Sequence, residues 1–231
     1  MRYWLVMPAA GTGRRFGATT PKQYAPLEGR TVIEWALAPF LVDARCARIV
    51  VALAAEDRHF ARLPLRGRVH TAPGGASRSL SVRSALAALE GSAGSEDWVL
   101  VHDAARPCLA GQDLERLLTA LAGDAVGGLL AVKVADTLKR AAGDAAAPAV
   151  AATAERAGLW LALTPQMFRF RALCEALDAA HRDGAAPSDE AQALEWRGLA
   201  PRLIEGAASN LKVTTAEDLL LAAAILKARH V

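Results

Sequence analysis

Short apolar runs alternate along the chain with longer segments whose apolar residues recur at helical spacing. Short runs rich in β-branched residues are typical of buried strands, and recurrence at every third or fourth position indicates an amphipathic helix. The predicted strands are Tyr3–Met7, Arg48–Leu53, Val69–His70, Trp98–Val101, Gly128–Val132 and Arg202–Glu205. The predicted helices are Thr31–Leu37 with Thr31 as its N-cap, Glu56–Leu63, a segment from the loop at 73–82 to about Glu90, Gln112–Leu121, Arg169–Arg182, Ser188–Arg197 and Thr215–Arg229. This alternation predicts an α/β fold with a mostly parallel sheet covered by helices on both faces.

The alternation breaks over about 134–164. There, the short runs Asp136–Lys139 and Val150–Thr153 flank a stretch rich in Gly, Asp, Ala and Pro at 141–149. Two such runs around a turn-forming stretch predict a β-hairpin that projects from the sheet as an arm. Arms of this kind are either disordered loops or dimer contacts, and the pattern leaves both open. The rest of the chain contains no repeat or long linker, so we expect one domain over residues 1–231.

Composition and charge exclude several classes of protein. Of the 231 residues, 53% are hydrophobic and 22% are charged, as in folded globular proteins. The net charge is only +3, and no basic stripe interleaved with aromatic residues occurs, so we expect no nucleic-acid partner. No apolar run approaches the roughly 20 residues of a membrane span, and Met1-Arg2 leads directly into the first strand, so we expect neither a membrane anchor nor a signal peptide. Three scattered cysteines, Cys46, Cys108 and Cys174, argue against a metal cluster and favour a reducing compartment, which we expect to be the cytoplasm.

A loop of small residues follows the first strand and contains Gly11 and Gly13. The backbone at glycine can turn sharply and can bring its N–H groups close to a ligand. Three cations, Arg14, Arg15 and Lys22, lie close behind these glycines, and backbone donors beside fixed positive charge predict a polyphosphate site. The alternative is an ordinary strand-to-helix turn with solvated arginines. The P-loop sequence Gly-x-x-x-x-Gly-Lys-Ser/Thr is absent, and the third glycine comes one place too late for a dinucleotide fingerprint.

Three further loops, 73–82, 102–107 and 206–214, follow predicted strands. Ligands of parallel sheets bind outside the carboxyl ends of the strands, so we expect these loops to share one edge of the sheet with the glycine loop. Gly74 and Gly75 can approach a base or ribose, although an ordinary turn capped by Ser77 would explain the same residues.

Asp103 is the acid at the end of a strongly apolar strand. A carboxylate there can hold Mg²⁺ beside phosphates, because this ion takes only one or two protein ligands. Alternatively, Asp103 caps the next turn or pairs with Arg106. Lys212 in the last loop is a second candidate for ligand binding, although taken alone its position favours a solvated loop lysine. His102 lies in the alternation of a buried strand end, so we do not expect a general base there.

Several short motifs in a fixed order together resemble one protein family. They are Pro8-Ala9-Ala10-Gly11-x-Gly13-x-Arg15, Pro21-Lys22-Gln23-Tyr24, Gly74-Gly75-x-x-Arg78-x-x-Ser81-Val82, Val101-His102-Asp103-Ala104-Ala105-Arg106-Pro107, Asp136-Thr137-Leu138-Lys139-Arg140, Leu163-Thr164-Pro165-Gln166, Asp189-Glu190-Ala191 and Asn210-Leu211-Lys212-Val213-Thr214. The family is 2-C-methyl-D-erythritol 4-phosphate cytidylyltransferase of the non-mevalonate isoprenoid pathway, and the likeness runs almost end to end. It implies a Rossmann-like nucleotidyltransferase fold, a homodimer built through the projecting arm, and a reaction that joins CTP and methylerythritol phosphate.

The resemblance also implies roles for individual residues. Arg15 and Lys22 would stabilise the transition state on the triphosphate, and Arg156 and Lys212 would position the methylerythritol phosphate. Asp103 matches the position that holds Mg²⁺ or another divalent cation. Contacts to the nucleotide are implied for Ala9, Ala10, Gly11, Gly75 and Ser81. Contacts to the second substrate are implied for Arg106, Thr137 and Thr164, with part of the arm reaching into the neighbouring subunit.

The chain departs from the family pattern at three positions. Ala76 stands where an acid often follows the two glycines, Ser188 replaces a usual threonine, and Ser209 stands where an acid is common. The first departure puts a side-chain contact to cytosine or ribose in doubt. None of the three changes the charged residues.

Two other functions remain open from the residues alone. A cytidylyltransferase on the same scaffold could act on ribitol phosphate or a related polyol phosphate, with Thr137, Arg156 and Thr164 choosing the acceptor. A non-catalytic nucleotide-binding protein could also retain the fold, although the intact charged residues weigh against it.

Overall fold

The computed structural model describes residues 1–11, 20–65, 69–144 and 146–229. Its strands, numbered in chain order, are β1 (Tyr3–Pro8), β2 (Pro26–Leu27), β3 (Arg30–Thr31), β4 (Cys46–Leu53), β5 (Val69–Pro73), β6 (Trp98–Val101), β7 (Gly127–Lys133), β8 (Leu138–Ala142), β9 (Ala149–Ala154), β10 (Trp160–Arg169) and β11 (Arg202–Glu205). Its α-helices are α1 (Val32–Val42), α2 (Arg78–Ala87), α3 (Gly111–Leu121), α4 (Phe170–Arg182), α5 (Glu190–Glu195) and α6 (Ala216–Arg229). Among the described residues, no helix combines the length and the apolarity that a membrane crossing requires.

Seven strands form the central sheet in the order β11-β7-β10-β6-β1-β4-β5. Neighbouring strands are parallel except at β10, which runs antiparallel to both β6 and β7. The predicted α/β architecture with a mostly parallel sheet is confirmed. Parallel strands are buried on both faces, which explains why β1 and β6 are continuous apolar runs.

The side chains of β1 alternate between the two faces of the sheet. Tyr3, Leu5 and Met7 belong to a hydrophobic cluster that includes α1 and α3. Trp4 and Val6 belong to a second cluster that includes α2, α4 and α5. Helices therefore cover both faces, as the sequence predicts. A third cluster joins α6 to residues around β2 and the start of α1.

The segment that returns from the arm is a strand in the middle of the central sheet. β10 pairs with β6 on one side and β7 on the other, so the arm ends earlier than predicted and Thr164 lies in the sheet. The strand was not predicted from the sequence because Thr164, Pro165 and Gln166 interrupt its apolar run. The register with β7 shifts between Ala162 and Gln166, and such an irregularity accommodates a proline that cannot donate a hydrogen bond.

The predicted hairpin is present. β8 and β9 pair antiparallel as a two-stranded sheet separate from the central one. Their described residues are all exposed or half-buried. A two-stranded hairpin with so little burial is marginal in isolation, so the arm needs another surface to cover it or gains its order from its attachment to the sheet.

The helix predicted over Glu56–Leu63 is wrong. A 3-10 turn at Phe60–Arg62 is the helical part of this segment. The carboxylate of Asp57 accepts the backbone N–H groups of His59 and Phe60 at 3.0 and 2.9 Å. A side chain that bonds the backbone just ahead of it competes with a helix and favours a turn.

Candidate active site

The four loops singled out in the sequence meet at one edge of the sheet, as predicted. They enclose a cavity of about 440 Å³ beside the carboxyl ends of β1, β5 and β6. The lining residues are Pro8, Ala9, Ala10, Gly11, Lys22, Gln23, Gly75, Ala76, Ser77, Arg78, Ser81, Asp103, Ala104, Ala105 and Lys212. Two backbone hydrogen bonds hold loops together at this edge, from the N–H of His102 to the carbonyl of Val6 and from the N–H of Val213 to the carbonyl of Ala105.

The glycine loop supplies one wall of the cavity. The amide of Gln23, which is almost fully buried, donates to the carbonyl of Ala9 at 2.9 Å and to the carbonyl of Gly11 at 3.3 Å. These bonds satisfy both carbonyls and hold the glycine loop in place, a role that the sequence did not assign to Gln23. Lys22 precedes it in a 3-10 helix and lines the cavity in a half-buried position. Arg15, predicted to act on the triphosphate, lies outside the described residues.

The loop between β5 and α2 supplies another part of the cavity lining, next to the glycine loop. A Cβ on Gly74 would lie 2.2 Å from the Cβ of Ala10, so only glycine lets this loop approach the glycine loop so closely. The N–H of Gly75 donates to the hydroxyl of Ser81 at 3.0 Å, and that hydroxyl donates to the carbonyl of Ser77 at 2.9 Å. Ser81 therefore shapes the loop from within. The hydroxyl of Ser77 accepts the N–H of Leu80 and caps α2, so the capped turn that the sequence offered as an alternative is present.

Asp103 lies at the centre of a cluster of cations. Its two carboxylate oxygens lie 3.0 Å from Nε of Arg78 and 2.9 Å from Nζ of Lys212, and Nε of Arg106 is 3.7 Å away. Burial alone would raise the pKa of Asp103, but the charges of Arg78 and Lys212 hold it far below its usual range. The expected pairing with Arg106 is thus the longest of the three contacts. An ionised carboxylate surrounded by cations leaves a net positive pocket, which suits phosphate groups.

Arg78 connects the cavity to a carboxylate that does not line it. Its Nη1 and Nη2 atoms donate to the two oxygens of Glu190 at 2.7 and 3.0 Å, and its Nε atom donates to Oδ1 of Asp103. Glu190 is fully buried, and burial raises its pKa while the facing guanidinium opposes that rise. Sequence reasoning gave neither Arg78 nor Glu190 a role. Both residues could have been found in the sequence, because each is a charged residue beside small ones inside a motif that resembles the family.

A buried hydrogen-bond network supports the strand end behind Asp103. The hydroxyl of Thr164 lies 2.9 Å from Nδ1 of His102 and accepts the N–H of Asp103 at 3.1 Å. Nε2 of His102 lies 3.2 Å from the carbonyl of Arg106 and must donate to it, so Nδ1 accepts the hydroxyl proton of Thr164. Burial lowers the pKa of His102 to about 4, which keeps the ring neutral. His102 is therefore part of the support, in keeping with its expected place in a buried strand end.

Arg106 and Thr164 lie behind the cavity wall in the described structure. Arg106 donates to the carbonyl of Asn210 at 2.7 Å, and the amide of Asn210 donates to the carbonyl of Thr164 at 2.7 Å. Two buried polar atoms, Nε of Arg106 and Oδ1 of Asn210, have no hydrogen-bond partner among the described residues. Both atoms lie in this buried network and not in the cavity lining.

The arm residues predicted to contact substrate do not reach this cavity within one chain. Thr137 and Arg156 are both exposed and neither is among the lining residues. The guanidinium of Arg156 donates to the carbonyl of Ala135 at the base of the arm. The fold thus brings together Ala9, Ala10, Gly11, Lys22, Gly75, Ser81, Asp103 and Lys212, and leaves Thr137 and Arg156 apart from them.

The donor set of the cavity fits a magnesium ion that arrives with phosphates. Within the described ranges, Asp103 is the one acidic residue that lines the cavity, and no group of three or more metal-binding side chains occurs. Mg²⁺ keeps several water molecules and often takes one or two protein carboxylates together with substrate phosphates. A single carboxylate is therefore sufficient for Mg²⁺ and insufficient for a zinc site.

Comparisons with known proteins agree with this geometry. The family model of 2-C-methyl-D-erythritol 4-phosphate cytidylyltransferase matches residues 3–228. Proteins of that name from Halorhodospira halophila and Ectopseudomonas mendocina are 53% and 52% identical, and the alignments cover 99% and 94% of this chain and 96% and 93% of the relatives. The crystal structure of Francisella tularensis 2-C-methyl-D-erythritol 4-phosphate cytidylyltransferase is 32% identical and superposes with a TM-score of 0.84, covering 97% of this chain and 100% of that one. The chain therefore belongs to the 2-C-methyl-D-erythritol 4-phosphate cytidylyltransferase family.

Proposed function

We propose that the cavity joins CTP and 2-C-methyl-D-erythritol 4-phosphate to give 4-diphosphocytidyl-2-C-methyl-D-erythritol and pyrophosphate, a step of the non-mevalonate isoprenoid pathway. The observation that carries this proposal is the convergence of Lys22, Arg78 and Lys212 around Asp103 in a member of that family. Fixed cations and loop backbone that line one cavity suit two phosphate-bearing substrates.

The reaction needs no general base and no covalent intermediate. An oxygen of the acceptor phosphate is already anionic and attacks the α-phosphorus of CTP, forming the new P–O bond. The bond between the α-phosphorus and the bridging oxygen breaks on the opposite side, and that oxygen leaves with its electron pair as part of pyrophosphate. Positioning and electrostatic stabilisation then supply the catalysis. The neutral, buried ring of His102 has no proton to move in this scheme.

The cations divide between the two substrates. Lys22 would neutralise charge on the triphosphate, together with Arg15, which lies outside the described residues. Lys212 would bind the acceptor phosphate. The nucleotide would lie against the small residues of the two neighbouring loops, Ala9, Ala10, Gly11, Gly75 and Ser81. Arg106 and Thr164 would support the acceptor side from behind the cavity wall, because Arg106 bonds the carbonyl of Asn210 and the amide of Asn210 bonds the carbonyl of Thr164.

We further propose Mg²⁺, or another divalent cation, as the cofactor, with Asp103 as its protein ligand. The cation would neutralise charge on the phosphates and so ease the approach of two anions. Asp103 is ionised at neutral pH, because the charges of Arg78 and Lys212 hold its pKa far below the usual range. Its contacts with Arg78 and Lys212 keep the carboxylate pointed at the cavity.

A direct test is pyrophosphate release from CTP and Mg²⁺, with methylerythritol 4-phosphate and ribitol 5-phosphate offered side by side. Release only with methylerythritol phosphate is the expected result. Release only with ribitol phosphate would keep the mechanism and overturn the acceptor. A folded protein that binds CTP and releases no pyrophosphate with either acceptor would be a nucleotide-binding protein instead.

The chain would act as a homodimer whose arm completes the site of the neighbouring subunit. The supporting observation is that Arg156 and Thr137 are exposed and stand apart from the cavity of their own chain. An arm with little burial of its own would also gain a covering surface in a dimer.

Mixing two impaired variants tests the shared site. Arg156→Ala and Lys212→Ala would each lose most of their activity, but co-expression would produce hybrid dimers with one intact site. About a quarter of all sites should then be active, because half of the dimers are hybrids and each holds one intact site. The matched control is Lys22→Ala with Lys212→Ala, which both lie in one chain's cavity and so cannot restore a site. A mixture with Arg156→Ala that stays as impaired as the single variants would overturn the shared site.

We propose one domain over residues 1–231 and a cytoplasmic location. The support for one domain is the single central sheet that carries clusters on both faces. The support for the location is that Cys46, Cys108 and Cys174 are buried and form no disulfide with one another, as is usual for thiols in a reducing compartment.

A further inference from the structure

We propose that Glu190 is a positioning residue for cytidylyl transfer, which acts through Arg78 and Asp103 on Lys212 without touching either substrate. The proposal rests on the function proposed above for Lys212. Glu190 is 112 residues from Arg78 in the sequence and does not line the cavity. The geometry nevertheless connects it to the cavity through an unbroken series of charged hydrogen bonds.

Arg78 is held by three of its N–H groups at once. Two of them bind both oxygens of Glu190 at 2.7 and 3.0 Å, and the third binds Asp103 at 3.0 Å. A two-pronged bond to a carboxylate fixes the plane of a guanidinium as well as its position. Because Nε lies in that plane, Glu190 determines where the third N–H group meets Asp103.

The carboxylate of Asp103 links the fixed guanidinium of Arg78 to the ammonium group of Lys212. Its Oδ1 atom accepts from Arg78, which turns Oδ2 toward Nζ of Lys212 at 2.9 Å. Lys212 is partly exposed, with 39% of its side chain accessible, so its long side chain would otherwise sample many rotamers. The ion pair with Asp103 therefore sets the ammonium group at one place in the cavity.

The position of Glu190 is itself fixed by the central sheet. Gln166 on β10 accepts the backbone N–H of Ala191 at 2.9 Å and donates to the carboxylate of Asp189 at 2.9 Å. Both contacts hold the first turn of α5 against the sheet. The series thus begins on a rigid element and ends at the cation that would bind the acceptor phosphate.

Stability alone does not account for an ion pair at this place. Glu190 has no accessible side-chain surface, and two charges removed from water recover little of their desolvation cost when paired. An apolar side chain of similar volume would cover the same space without that cost. Unlike an apolar side chain, the carboxylate of Glu190 also orients the guanidinium of Arg78.

A double-mutant cycle on kcat/KM for methylerythritol phosphate tests the proposal. Its members are the parent protein, Glu190→Gln, Lys212→Ala and the double variant. Glu190→Gln keeps the shape of the side chain but has one acceptor oxygen, so the two-pronged bond is lost. We expect it to lower kcat/KM by about 10–100-fold in the parent, since small misplacements near the reaction centre have effects of that size. In the Lys212→Ala background, most of this loss should disappear, because residues that act as a unit are not additive.

Asp43→Asn is the matched control. This acid also holds a guanidinium with both of its oxygens, through Nε and Nη2 of Arg45, but it lies just before β4 and does not line the cavity. Its replacement should lower the melting temperature, and any loss of activity should multiply with that of Lys212→Ala. Should Glu190→Gln fail to fold, Glu190→Asp serves in the same cycle, because it keeps the charge and withdraws it from Arg78 by one methylene.

The outcomes separate the two proposals. Lys212→Ala with parental kcat/KM would overturn the role proposed for Lys212 and, with it, the end of the series. A slow Lys212→Ala whose effect multiplies with that of Glu190→Gln would overturn only the action of Glu190 on Lys212. Parental activity in a folded Glu190→Gln would do the same.

Discussion

The chemistry of the site depends on where single charges are placed. Asp103 has Arg78, Lys212 and Arg106 within 4 Å of its carboxylate, so the local charge is positive even with the acid ionised. Lys22 adds a further cation to the cavity lining. In a half-enclosed cavity such charges act more strongly on phosphates than they would in water.

Replacing Lys22 tests the contribution of one cation. We expect Lys22→Ala to lower kcat by about 10²–10³, the loss typical of one electrostatic donor to a transition state. Arg15→Ala should behave alike if Arg15 shares the triphosphate. The control is Lys227→Ala, because Lys227 is an exposed lysine of α6 that pairs with Glu28 far from the cavity. A Lys22→Ala variant with the parental rate would remove Lys22 from the mechanism.

A second prediction concerns the close approach of two loops. Gly74→Ala would place a Cβ 2.2 Å from the Cβ of Ala10 and 3.0 Å from the carbonyl oxygen of Leu53. Overpacking of this kind costs about 1–3 kcal/mol, so the loops should separate and the affinity for CTP should fall by about tenfold or more. Calorimetric titration with CTP measures the change. Gly111→Ala is the control, since a Cβ there meets nothing within 4 Å, and unchanged CTP affinity in Gly74→Ala would refute the argument.

At the scale of elements, two loops of the site, 73–82 and 206–214, lead into capped helices, and the helix that carries Glu190 is capped as well. Ser77 caps α2, Asp189 caps α5, and Thr215 caps α6 with Asp218 as its reciprocal partner. A cap satisfies the backbone N–H groups that the first turn leaves open, so it also fixes the direction in which the preceding loop enters the helix. The loops that carry Arg78 and Lys212 are both held in this way.

The cap of α6 should contribute to stability. Asp218 accepts the N–H and the hydroxyl of Thr214 and the N–H of Thr215, at 2.6 to 2.8 Å. Asp218→Ala should lower the melting temperature by about 2–4 °C, which corresponds to about 1 kcal/mol for a chain of this size. Glu217→Ala is the matched control, because it removes a charge from the same turn and none of the bonds to Thr214 or Thr215. Equal melting temperatures for the two variants would contradict the assignment.

The effect of Asp218 should depend on pH. Hydrogen bonds from Thr214 and Thr215 lower the pKa of Asp218 to about 2. A group whose pKa is lower in the folded state stabilises above its unfolded pKa and loses that contribution as pH falls toward its folded pKa. The difference in unfolding free energy between parent and Asp218→Ala should therefore be constant above pH of about 5 and should shrink between about pH 4 and pH 2. A difference that grows on acidification would have the wrong sign.

On the scale of the whole molecule, each of the three cysteines lies in a different hydrophobic cluster of the core. Cys46 lies in the cluster with α1 and α3, Cys174 in the cluster on the other face of the sheet, and Cys108 in the cluster with α6. All three are buried, and burial raises the pKa of Cys108 and Cys174 to about 11. Thiol reagents should therefore react with the native protein only after it opens.

Thiol labelling in urea tests whether the chain unfolds as one unit. Three variants that each retain one cysteine should show the same labelling midpoint, because both large clusters share one sheet and cannot open separately. That midpoint should coincide with the loss of the circular dichroism signal. Labelling of Cys108 at a clearly lower urea concentration would instead show that α6 opens by itself and would contradict a single domain.

Local patterns along the chain were sufficient for much of this picture. Alternating periodicities predicted the α/β class, the helices on both faces and the hairpin. The spacing of apolar residues shows whether a helix or strand is buried on one face or on both. Thr31 and Ser77 were recognisable as helix starts for an equally local reason, since a cap bonds groups only a few residues ahead. The motifs that identify the family are also local, and they located the four loops of the cavity.

Only the tertiary structure decided how distant segments meet. The place of β10 in the middle of the sheet depends on pairing with β6 and β7, and its own apolar run is interrupted by Thr164, Pro165 and Gln166. The contact between Arg78 and Glu190 joins residues 112 apart, and no periodicity records a bond of that span. The same holds for Arg106 and Thr164, which lie behind the cavity wall, and for Arg156, which stands apart from its own cavity. The pattern of apolar residues in a sequence predicts which residues are buried. The contacts that a buried residue makes depend on the chain topology, and a buried charge is stable only beside an opposite charge.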